Sequence, residues 1–226
     1  MINTFKKDDA QALKGIAIIM MIFHHCFSST ELYEKYTISF FPFKENIIVN
    51  IAVICKICVA LFAFISGYGL IISYEKKKAT ASRWALSRYI KTFSGFWIIY
   101  ILLAFVNIIF RSRFLKVYFG HGIWIGIASV FLDFAGFAKL FGTDTLLVTW
   151  WYMSAAVVYI LLVPLLYKEL KDKTWIILIF SMFFLRVILS HTDAGSFTGS
   201  NSIYAFIPVF ISGSIFATTL FFSGGY

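Results

Sequence analysis

The chain has 226 residues, of which 60% are hydrophobic and 14% charged, and its mean hydropathy is +0.84. Those values exclude an ordinary water-soluble domain and make a lipid bilayer the solvent of most of the chain. The formal charge of +9 does not point to nucleic acid, because the basic residues gather in short segments between apolar runs, where they act as topology signals.

Taken in chain order, the uncharged stretches are 15–30, 57–74, 92–110, 117–132, 145–167, 174–185 and 203–222. A spanning helix needs roughly 17 to 25 residues. The expected fold class is therefore all-α, a polytopic transmembrane helix bundle with six or seven membrane helices, forming one domain over residues 1–226. The first run is flanked like an anchor and lacks a small-residue cleavage pattern, so no cleavable signal peptide is expected. The fourth run starts behind Lys116, holds Gly120, His121, Gly122 and Gly126, and then meets Asp133, Gly136 and Lys139. Such a segment can enter a membrane without crossing it.

Between the second and third runs lies YEKKKATASRWALSRYIK, in which Lys76, Lys77, Lys78, Arg83, Arg88 and Lys91 face the single acid Glu75. That charge bias places the loop in the cytoplasm, and the N-terminus, two crossings away, with it. The expected location is the cytoplasmic membrane, multi-pass, with a cytoplasmic N-terminus. Cys55 and Cys58 form a single C-x-x-C with no second pair, so no metal site is expected, and Cys26 reads as a small buried apolar residue.

The first apolar run, LKGIAIIMMIFHHCF over residues 13–27, contains a lysine and two adjacent histidines. Lys14 and His25 are eleven residues apart, about three helical turns, so on a helix they share a face at a separation of roughly 16 Å. His24 is turned about 100° away. This reading puts Lys14 at the cytoplasmic edge and His25 near mid-membrane. An ionisable side chain inside a bilayer is costly and usually faces a cavity or reaction path, which makes His25 a functional candidate and His24 a secondary one. The plainer alternative is a packing histidine satisfied by a neighbouring carbonyl.

A basic residue, ten residues, then His on the first membrane helix resembles the acyltransferase-3 family of integral membrane acyltransferases. Three further stretches agree in order and spacing: LFAFISGYGL (61–70), SRYIKTFSGFWIIY (87–100), and WWYMSAAVVYILLVPLL (150–166), a helix that ends in a proline. Lys14 and Lys91 stand where many members have Arg, and SAAVV stands where many carry a Glu, so no catalytic acid is assigned there. Members have about ten membrane helices. The resemblance therefore implies that this chain represents their first two thirds, a domain incomplete at its C-terminus.

The resemblance implies a membrane O-acyltransferase that moves an acyl group, acetyl being the expected one, from acyl-coenzyme A to a carbohydrate hydroxyl of a cell-envelope glycan or a lipid-linked glycan. Acyl-coenzyme A is a donor substrate, and no tightly bound cofactor is expected. His25 would be the general base, since imidazole suits removal of a hydroxyl proton. Lys14, Arg88 and Lys91 would hold the donor's phosphates. Ser66 and His24 would assist substrate placement or the oxyanion, with Gly67 allowing close helix approach. Trp150, Trp151 and Tyr152 read as an interfacial belt on which a sugar could stack, and Arg186 as a snorkelling residue. The alternative from another class is a transporter or channel subunit whose buried His and Lys lie on a proton or permeation path. The cytoplasmic Arg-x-x-Lys beside a Ser-Gly helix discriminates, because a thioester donor explains it and a proton path does not.

Overall fold

The computed structural model describes residues 5–77, 79–111, 113–171 and 201–222, and every regular element among them is helical. Four helical stretches are long and apolar enough to cross a membrane: Lys7–Phe27, Glu45–Lys76, Ala81–Phe110 and Val148–Tyr167. A bent pair makes a fifth if it counts as one span. The expected run 174–185 and Arg186 lie outside the described residues.

Helix α1 (Lys7–Phe27) starts where the Lys6 backbone N–H donates to Asp9 Oδ2 at 2.7 Å, with Asp8 and Asp9 in the first turn complementing the helix dipole. A connection over residues 28–44 leads to α2 (Glu45–Ile54), which passes through a 3₁₀ turn, Cys55–Ile57, into α3 (Cys58–Lys76). The second membrane element therefore begins well before the apolar run at 57 suggested. Lys56 interrupts the uncharged run but not the helix. α4 (Ala81–Val106) likewise begins inside the basic segment, so Arg83, Arg88 and Lys91 occupy its first three turns and the connecting loop is short.

After a π-helical turn, Asn107–Arg111, come α5 (Arg113–Phe119) and α6 (Ile123–Phe134), bent by 107° to one another. Gly122, at the bend, has φ +112°, a backbone region that side chains with a Cβ rarely enter. The fourth apolar run is thus a broken helix, in keeping with its glycines. α7 (Ala138–Phe141) and a 3₁₀ turn, Val148–Trp150, precede α8 (Trp151–Lys171). Pro164 does not end that helix, as the sequence suggested, but lies inside it. Its ring forfeits one backbone hydrogen bond, a loss that membrane helices accommodate locally. α9 (Asn201–Ala205) and α10 (Ile207–Phe222) are the last described elements, Pro208 sitting in the first turn of α10, where its missing N–H costs nothing.

The chain folds as two compact units, residues 1–69 with 209–226, and residues 70–208. In the first, α1 packs on α2, and α3 meets α10 through two glycines: a Cβ on Gly67 would collide with the Phe210 carbonyl, and one on Gly213 with the Phe64 carbonyl. Small residues let membrane helices approach to backbone contact. In the second, Phe93, Phe96, Tyr100 and Val157 form an aromatic core against which Trp97, Phe134 and Trp150 pack.

Candidate active site

In the first unit, α1 is unbroken from Lys7 to Phe27, so Lys14 and His25 lie on one helix face, about 16 Å apart by helical rise. Both are exposed. His25 falls in the last turn of α1, because the helix ends at Phe27 although the uncharged run continues to residue 30. Among the described residues Lys14 has no hydrogen-bonded or ion-paired partner. Cys26 is exposed rather than buried. On a helix whose surroundings are lipid, an apolar residue gains nothing by turning toward protein.

His24 is the better anchored of the two histidines. Its Nδ1 lies 2.8 Å from the Ala52 carbonyl oxygen on α2. A carbonyl can only accept, so Nδ1 carries the hydrogen and the lone pair sits on Nε2. The His24 and His25 rings meet edge to face with centroids 5.3 Å apart. Ser66 is half-buried on α3, one residue before the close approach of Gly67 to α10.

In the second unit, the basic end of α4 is uneven. Lys91 is exposed, whereas Arg88 is half-buried. The Nε of Arg88 and the Nε1 of Trp84, one helical turn apart on the same face, are both buried without a hydrogen-bond partner among the described residues. Trp84 is 0% exposed and its ring packs edge to face on Tyr74. Two buried donors without acceptors are uncommon, since each costs roughly 1–3 kcal/mol when left unpaired. Lys77 Nζ donates to Ser87 Oγ at 2.7 Å on the same end of the unit.

Trp150 is not a simple interfacial residue. It sits at the start of α8 against Phe96 and Tyr100, at centroid distances of 5.0 and 5.3 Å, while Trp151 stacks on Phe206. The sequence reading missed the polar group beside this core. Asp133, 2% exposed, accepts hydrogen bonds from the Tyr118 hydroxyl and from the Leu146 backbone N–H at 2.9 Å, and the Tyr100 hydroxyl donates to that of Tyr118 at 3.1 Å. Asp133 thereby ties α5 to α6 across their bend and fixes the approach to Trp150. The only hint in the sequence was an acid closing an apolar run.

A family model described as an acyltransferase domain matches residues 8–225. No curated protein and no solved structure matches the chain.

Proposed function

The chain belongs to the acyltransferase-3 family, and from that premise we propose that it transfers an acyl group, acetyl first among candidates, from acyl-coenzyme A to a carbohydrate hydroxyl at the cytoplasmic membrane. The observation that carries the donor half of this reading is the half-buried Arg88 in the first turns of α4, a guanidinium held partly out of water without an anionic partner among the described residues. One turn further on, the exposed Lys91 adds a second positive charge. A multiply charged phosphate ester supplies the acceptor oxygens that such a group requires, and a guanidinium can grip it through two parallel bonds.

In the reaction, the acceptor hydroxyl loses its proton to His25 as its oxygen attacks the thioester carbonyl. The tetrahedral oxyanion collapses, the C–S bond breaks, and the departing sulfur takes the proton back, giving ester and free thiol. Ser66 serves as a hydroxyl donor toward the oxyanion. His24, with its hydrogen fixed toward Ala52, holds its ring against that of His25 and positions it. The same fixed tautomer favours one second reading, in which Nε2 of His24 is itself the base.

The test is the full chain in lipid nanodiscs, labelled acetyl-coenzyme A and a carbohydrate acceptor. Label is expected to move to the sugar. Arg88→Gln with Lys91→Gln should raise the donor KM by at least about 10-fold, the loss of either charge-assisted contact costing roughly 1.5–3 kcal/mol, with a smaller change for the acceptor. Equal losses for both substrates would refute the assignment of these residues to the donor.

A further inference from the structure

The connection between α1 and α2 frames an open, surface cavity of about 490 Å³, within the range of roughly 300–1,000 Å³ typical of small-molecule sites. Tyr33 and Phe40, which line it, meet at a centroid distance of 5.5 Å and form its floor, with Phe27 packed against both at 5.8 and 5.7 Å. Tyr33 is 7% exposed, and its hydroxyl donates to Glu45 Oε1 at 3.0 Å. Burial, with the hydrogen bond to Glu45 and the charge of Glu45, pushes the Tyr33 phenol above its ordinary pKa, so it remains a donor and holds that carboxyl group in place. Around this floor stand Glu34, Ser39, and the rings of Tyr36 and Phe41, which are 71% and 91% exposed.

Acyl chains reject carboxyl groups, so these rings and the acids beside them lie outside the acyl region of the bilayer. They suit a ligand with an apolar face and a polar rim. A pyranose has both: its C–H face lies on an aromatic ring, and its hydroxyls donate to carboxyl, hydroxyl and carbonyl oxygens. A cationic ligand is the competing chemistry for rings and acids together. Here, however, residues 33–45 carry no net charge, because Glu34 and Glu45 are offset by the adjoining exposed Lys35 and Lys44, which lie outside the cavity lining.

We infer that the cavity built by Tyr36, Phe41, Glu34 and Glu45 is a binding site for a neutral carbohydrate. Resting on the transferase reading above, this is the acceptor's docking point, on the membrane face opposite the N-terminus.

Saturation-transfer NMR on the full chain in nanodiscs tests this, with methyl β-glucoside and methyl β-N-acetylglucosaminide as probes, choline as the cationic comparison and empty nanodiscs as blank. Saturation should reach the sugar ring protons and not choline. It should fall at least fivefold in the Tyr36→Ala/Phe41→Ala double variant and in Glu45→Gln. Because Glu45→Gln also alters the Tyr33 contact, the double variant, whose rings are exposed, decides if the two disagree. No transfer to either sugar, transfer unchanged in the double variant, or transfer to choline instead would each overturn the inference. The experiment contains no donor, so its failure is distinct from failure of the transferase reading, which would appear as absence of label transfer.

Discussion

α1 and α4 are both long apolar helices, yet α1 buries only Ala17 while α4 buries Trp84, Phe93, Phe96 and Tyr100. Hydropathy reports suitability for a bilayer, not packing. In lipid an exposed isoleucine is already among apolar neighbours, so nothing forces Ile16, Ile18, Ile19 or Ile22 of α1 inward. Aromatic rings on α4 are instead placed by shape and by hydrogen bonds: Trp97 Nε1 donates to the Phe134 carbonyl at 3.0 Å, and the Tyr89 hydroxyl to that of Ala135 at 2.8 Å. The candidate base thus rides on a lightly packed helix, and the candidate donor residue Arg88 on a heavily packed one. Substitutions on α1 should therefore read out as chemistry, and substitutions in the buried core of the α4 to α8 unit as stability.

The sharpest break in that comparison comes from His25. His25→Ala should lower acyl transfer by about 10²- to 10⁴-fold while expression and thermal stability in detergent stay near wild type. His24→Ala should be milder in activity and slightly less stable, since it loses the Ala52 contact. A larger activity loss for His24→Ala would transfer the role of base to His24.

Asp133→Ala is the matching substitution on the packed side. It strips the acceptor from the Tyr118 hydroxyl and the Leu146 N–H, and at roughly 1–3 kcal/mol for each stranded donor it should lower the melting temperature in detergent markedly. Asp133→Asn, which keeps an acceptor oxygen, should recover part of the loss. No shift for Asp133→Ala would show that the bend between α5 and α6 does not depend on this group.

A smaller effect is expected where α3 meets α10. Gly67→Ala must push α3 off the Phe210 carbonyl, an overpacking cost of about 1–3 kcal/mol. Gly69→Ala, where nothing lies within 4 Å of the added methyl, should be close to neutral. Equal melting temperatures for the two variants would remove the close-approach role of Gly67.

Much of the architecture was legible as uncharged runs, since the bilayer imposes length and apolarity on any spanning helix. Helix starts were not. Lys56 and Lys91 bound an apolar run without bounding a helix, because a long basic side chain can carry its charge toward water while the backbone stays helical. The shared face of Lys14 and His25 follows from helical spacing alone. The Asp133 group and the cavity at Glu45 were illegible for the opposite reason: each joins residues across a bend or a connection, Tyr118 to Asp133 and Tyr33 to Glu45, where no sequence period brings them together. The unpartnered state of Arg88 Nε is a property of packing and has no sequence signal at all.

The central claim is that a coenzyme A thioester, met on the side of the basic end of α4, donates the acyl group. Sealed proteoliposomes test it directly. With the native cysteines replaced, Thr80→Cys, exposed at the start of α4 with no side-chain cap to lose, reports through an impermeant thiol reagent which way the chain faces. Labelled acetyl-coenzyme A is then supplied outside only. The account predicts label on the carbohydrate acceptor in vesicles where position 80 reacts, and none where it is protected. Transfer in the protected population alone, or in neither, would contradict it.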